Sequence, residues 1–164
     1  YKGQFDETDA KLRKIIKKLP MDNVAVNDIL DVMAILIGFR HNQEEFVNFA
    51  KVQLNIQQNK RTEALEKLES IFDSNEIYIA DMCRYQHAWL TFLQGDAELT
   101  KIQLRKINNE TIFKELAHIF QAEILDYIDK DISGAIDHYL EFLELYPQSI
   151  YYDDIRLRLR ELAS

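Results

Sequence analysis

A chain of 164 residues, 47% apolar and 29% charged, carries enough hydrophobic side chain for a sizeable core and lies outside the composition of disordered segments. Four glycines and two prolines leave few positions for tight turns, which favours helices. A formal charge of −8 argues against sequence-independent nucleic-acid binding, which needs a basic surface, and the apolar run at 32–39 is too short for a membrane span of about 20 residues.

Apolar residues recur at spacings of three and four along nearly the whole chain. Lys2-Gly3-Gln4-Phe5 reads as a turn, and the first helix follows at 6–19, its Lys11, Arg13, Lys14, Lys17 and Lys18 forming a solvated face opposite Leu12, Ile15, Ile16 and Leu19. After the break at Pro20-Met21-Asp22-Asn23 comes a helix at 24–39, then, past Arg40-His41-Asn42, a helix at 43–57. Further helices are expected at 61–73, 77–94, 97–107, 110–128, 132–146 and 151–163. The breaks between them are Gln58-Asn59-Lys60, Asp73-Ser74-Asn75, Gln94-Gly95-Asp96, Asn108-Asn109, Asp129-Lys130-Asp131 and Tyr146-Pro147-Gln148-Ser149. No stretch alternates with period two, so the expectation is an all-α chain of about nine helices with no sheet.

Three stretches align without a gap: 59–71, 95–107 and 130–142, with Ala64, Thr100 and Ala135 in the same place, 36 and 35 residues apart. The last has a turn of small and polar residues, then Ala135, Tyr139 and Phe142 at spacings of four and three, and Pro147 to close it. This pattern resembles the tetratricopeptide repeat family, units of two antiparallel helices that stack into a right-handed superhelix. The resemblance implies repeats at 43–73, 77–107 and 110–146, with Ala50, Ala88 and Ala122 as the small residues of the first helices at the crossings. It also makes residues 1–20 half a repeat, with Thr8 at the anchor position, so that the chain is expected to be a fragment of a longer protein; the helix at 24–39 is then an insertion. Thr100 in place of alanine, and Asn109 near the place of the proline that would close the middle repeat, depart from the pattern. The ending, Tyr146-Pro147-Gln148-Ser149 and an Arg-rich helix at 151–163, looks like the terminal cap of bacterial envelope repeat proteins. Similar proteins occur both in the bacterial cytoplasm and on the cell envelope.

Signals for chemistry are weak. Glu115-Leu116-Ala117-His118 has the spacing of two metal ligands on one helix face, yet no second copy accompanies it, and Cys83 with His87 one turn later fits buried neighbours as well as a nucleophile and its base. No glycine-rich phosphate loop and no calcium loop is present, so no catalytic residue, metal or cofactor is assigned and an enzyme is not expected.

Binding signals are stronger. In a stack of this type the residues after each crossing line a concave groove, which gives the ladder Lys51, Trp89, Glu123, flanked by Tyr85, Phe92 and Tyr127. An aromatic stripe Tyr85, Trp89, Phe92 fits a core as well as a groove. Between Glu123 and Asp154 nine acids stand against one base, so a protein or peptide partner with a basic segment is the expectation. The alternative is a structural module that self-associates end to end.

Overall fold

The helices read from apolar spacing are α1 (Lys2–Ile16), α2 (Ala25–Gly38), α3 (Gln43–Gln57), α4 (Arg61–Glu69), α5 (Ile77–Leu93), α6 (Ala97–Leu104), α7 (Ile112–Glu123), α8 (Ile132–Leu145) and α9 (Tyr152–Leu162), α7 continuing into a π-helical turn, Ile124–Asp129. This computed structural model describes residues 2–20, 22–107 and 110–163, with side chains from Phe5 onward, and among them there is no strand. The expected break at Asn108-Asn109, with Asn109 near the place of a closing proline, and residues Tyr1, Met21 and Ser164 lie outside the described residues. The chain divides into two compact units, Tyr1–Ala80 and Asp81–Ser164, with the boundary inside α5.

In the first unit α1 packs on α2 and α3 on α4. Aromatic rings join them: Phe5 meets Phe46 edge-on at 5.0 Å between centroids, and Phe39 lies 5.9 Å from Phe46 and 5.2 Å from Phe49. The end of α2 closes on the start of α5, where a Cβ at Gly38 would stand 2.5 Å from Ile79 Cδ1, so any larger residue there has to push the Ile79 side chain aside. Helix α3 begins where Asn42 accepts the Glu45 N–H at 3.1 Å.

Three expectations for this unit fail. Helix α1 starts at Lys2, where a turn was expected: a helix's first N–H groups have no intrahelical partner anyway, so Gly3 there costs only its propensity, about 1 kcal/mol. Thr8 is exposed, unlike the anchors it was aligned with. Ala50 is also exposed, and the fully buried residue of α3 is Val52. A small residue was sought at that crossing, but a β-branched one fills it.

Replacing Ala50 by Val52 puts the three segments in one register. Val52 and Ala64 are twelve residues apart, as are Ala88 and Thr100, and all four are fully buried. Downstream, Leu68, Leu104 and Tyr139 share one buried position, and Ile71, Ile107 and Phe142 the next. The turns agree too, since Asn59, Gly95 and Lys130 all have positive φ, at 58°, 88° and 58°. Each stands five residues before its anchor. Asp96 and Asp131, the next residues along, cap α6 and α8 by accepting the N–H groups of Leu99 and Gly134. Thr100 is tolerated in an alanine position because its hydroxyl donates to the Asp96 carbonyl at 2.7 Å, with the Ala88 carbonyl at 3.4 Å.

In the third segment Ala122 and Ala135 are thirteen residues apart. The extra residue lies in the π turn, whose i→i+5 bonds enclose one residue more than an α turn. The core of the second unit is two apolar clusters. One gathers Ala88, Leu104, Ile107, Ala117, Phe120 and Ile124, and the other Ala122, Ala135, Tyr139, Phe142 and Ile155.

Ala135→Trp is expected to overpack a closed crossing and cost roughly 1–3 kcal/mol or more, whereas Ala50→Trp on the exposed face of α3 should stay within about 0.5 kcal/mol. Urea unfolding of both variants checks the corrected register.

Candidate functional site

The aromatic stripe of α5 is split between core and surface. Phe120 of α7 is the buried floor: Trp89 lies 5.5 Å from it, Phe92 meets it edge-on at 5.2 Å, and Tyr85 lies at 6.2 Å. Tyr85 also lies 5.9 Å from Phe113, and both Tyr85 and Phe92 are partly buried against the first core cluster. Trp89 stands 6.0 Å from Phe92 and remains 45% exposed. Tyr85 and Phe92 are thus walls, and Trp89 is the ring that reaches solvent.

Beside this cluster runs the end of α7. Glu123 is exposed and follows the buried Ala122, as Trp89 follows Ala88. Its carboxyl is pushed up, first by the protein that displaces its water and then by the negative charge of Asp126. Burial and the Glu123 charge in turn push up the Tyr85 phenol. Tyr127, in the π turn, is 49% exposed and carries the Arg158 guanidinium over its ring at 4.9 Å.

The π turn is held from three helices. From α6, Lys101 Nζ reaches Asp129 at 2.6 Å and Glu98 at 2.5 Å, and those hydrogen bonds, Asp129's first, push its pKa up. From α8, the Tyr139 hydroxyl donates to Asp126 Oδ2 at 3.3 Å. From α9, Arg158 donates through Nε to Asp126 Oδ2 at 2.8 Å and through Nη2 to Oδ1 at 2.9 Å. Asp126 is 1% exposed, and these bonds, Arg158's first, hold its carboxyl below the usual range.

Of the expected ladder, the structure brings Tyr85, Trp89 and Phe92 onto one cluster in the second unit, with Glu123 close enough to act on Tyr85 and Tyr127 one turn beyond Glu123. Lys51 is exposed on α3 in the first unit and precedes Val52, so the position matching Trp89 and Glu123 there is Gln53. Two residues that sequence reasoning passed over, Asp126 and Arg158, shape this face. The only signal for them was a lone acid in an apolar run and one arginine among several.

The other residues singled out for chemistry have structural partners. Glu115 accepts the Ser149 hydroxyl, tying the Tyr146–Ser149 turn to α7. Cys83 and His87 are both buried on α5. No known family model, curated protein or solved structure matches this chain.

Arg158→Met leaves the Asp126 carboxylate buried without its cation and should cost roughly 3–5 kcal/mol. Asp126's folded pKa lies below its ordinary value of 3.8, so the pair's stabilisation is present above that pH and lost as pH falls through the lower folded value. Urea denaturation at stepped pH should show a wild-type–variant gap that narrows as acid protonates the uncompensated Asp126 of the variant, whose burial without a cation raises its pKa, and that closes only as the wild-type carboxyl is protonated too.

Proposed function

We propose that this chain is a non-enzymatic scaffold of tetratricopeptide-repeat type, with its helix pairs stacked as a superhelix, that holds a basic segment of a partner protein on the face carrying Trp89, Glu123 and Tyr127. The shared register of the three helix pairs supports the repeat reading. The observation that carries the binding reading is the pairing of a half-exposed tryptophan with an exposed carboxylate whose ionised form is under-solvated and repelled by Asp126. A lysine or arginine of a partner would relieve that carboxylate, and an apolar side chain beside it would cover Trp89. Tryptophan and tyrosine serve such contacts because they bury a large rigid area at low entropy cost.

Arg158 and Tyr127 set the far end of the face. The guanidinium is already engaged by Asp126 and Glu161, so the cation that meets Glu123 has to come from the partner. The ladder position in the first unit carries Gln53, whereas the excess of acids, nine against one base, lies in the second unit between Glu123 and Asp154. A rigid surface of this kind has its own side chains ordered before the partner arrives, so the entropy cost of association falls on the partner.

Trp89 is the chain's one tryptophan, so its emission reports directly on the face. Peptides with a lysine or arginine next to a large apolar residue should blue-shift it, and charge-reversed peptides should leave it unchanged. Trp89→Ala should weaken such a peptide by about 2 kcal/mol, roughly thirtyfold, as loss of an anchor ring does. It should cost the fold less than the roughly 3–5 kcal/mol of a fully buried ring. Affinity requires ionised Glu123, whose pKa is raised above 4.5, so it should fall as pH drops through that raised value, and Glu123→Gln should be weaker and lose this pH dependence. Equal affinity for acidic and basic peptides would rule the reading out.

A further inference from the structure

His118 on α7 faces α8 at His138 and Glu141, two residues spaced i, i+3 on one face. A ring nitrogen of each histidine and a carboxylate oxygen of Glu141 all lie within 4.8 Å of one another. His118 Nε2 is 3.8 Å from Glu141 Oε2 and 3.0 Å from the His138 carbonyl. The two imidazoles meet edge-on at 5.4 Å, backed by Phe142 at 6.0 Å and Tyr146 at 5.9 Å from the His118 ring.

Most of these contacts have an ordinary explanation, but one atom does not. The Nδ1 of His138 is buried and has no hydrogen-bond partner. A buried polar atom left unsatisfied costs about 1–3 kcal/mol, and a bound cation would satisfy a ring nitrogen of a histidine that stands beside a second imidazole and a carboxylate. We propose that His118, His138 and Glu141 form a binding site for a first-row divalent transition metal, with zinc the best fit to two imidazoles and one carboxylate and water completing a tetrahedron.

The chemistry of the donors agrees. Zinc bonds to imidazole nitrogen at about 2.0–2.1 Å and to carboxylate oxygen at about 2.0–2.2 Å, which puts neighbouring donors about 3.3 Å apart. The His118–Glu141 distance is already close to that, and the Glu141 side chain, 59% exposed, is free to swing inward. Ligation through Nε2 moves the His118 proton to Nδ1 and gives up the contact to the His138 carbonyl. That carbonyl lies inside α8, where the helix supplies its own donor. A cleft of about 380 Å³ lined by Gln121, Asp137, His138 and Glu141, together with Lys101 and Arg105, gives an ion access from solvent. Hard cations such as calcium and magnesium prefer all-oxygen shells, so they should compete poorly.

The test is calorimetric titration of the intact chain with zinc chloride, together with cobalt chloride followed by visible absorption, which reports tetrahedral coordination. One equivalent of zinc should bind at micromolar concentration or tighter, and cobalt should give the intense absorption of a four-coordinate site. His138→Ala and Glu141→Gln should each weaken zinc binding tenfold or more, while His41→Ala, at an exposed lone histidine, should bind as the parent does. Glu141 lies at the surface, so Glu141→Gln gives a clear answer even if His138→Ala folds poorly. Absence of stoichiometric uptake, or uptake unchanged in both ligand variants, would overturn the site.

Discussion

The second unit is organised around one buried carboxylate. Asp126 is almost fully enclosed, and an ionised carboxylate in that position is sustainable only with a cation and further donors supplied by the protein. Arg158 fills both oxygens in a parallel pair of bonds and Tyr139 adds a third, so one side chain of the π turn commits both α8 and α9 to it. Such a pair is not a large net source of stability, because desolvating both charges consumes most of the attraction. What it supplies is position: α9 has one place where its arginine satisfies the acid. The same guanidinium then lies over Tyr127 and fixes the ring that borders the candidate binding face.

The π turn makes this arrangement possible. The left-handed turn residue stands seven residues after the crossing residue in the α3 and α5 segments, Val52 to Asn59 and Ala88 to Gly95, and eight after it in the third, Ala122 to Lys130. One added residue in an α-helix would rotate everything after it by about 100° and turn Ala135 away from its crossing. A single wider turn absorbs the addition locally, so that Lys130 and Asp131 still make the turn and cap that start α8. The third pair keeps its register while placing a buried acid, Asp126, inside the wider turn itself.

The helices were legible because they depend on local signals: apolar spacing, and Gly, Asn, Asp or Pro at the breaks. The repeat anchors Ala64, Thr100 and Ala135 were legible for the same reason, since each stands five residues after a left-handed residue and the whole stretch is contiguous. The crossing in α3 was misread because residue size was taken as the criterion. Val52 stands twelve residues before its anchor, as Ala88 does, so in these two segments position relative to the anchor, and not side-chain volume, marks the place. Register is a property of two helices at once, so one helix read alone gives it only ambiguously.

The candidate sites depend still more on contacts between helices, and there sequence reading ran out. Helical spacing places Tyr85, Trp89 and Phe92 on one stripe, but whether a stripe is core or surface is decided by what covers it. Phe120 of α7 meets Tyr85 and Phe92 along the edge that faces the core, so the ring between them in sequence, Trp89, is left with solvent on its outer side. The histidine site follows the same logic. The spacing Glu115-x-x-His118 lies on α7 alone, and its acid is held by Ser149. The mirrored spacing, His138-x-x-Glu141, lies twenty residues downstream and becomes meaningful only once α7 and α8 pack. Where a function is assembled across two helices, each contributes half a motif, and half a motif is what ordinary helices carry by chance.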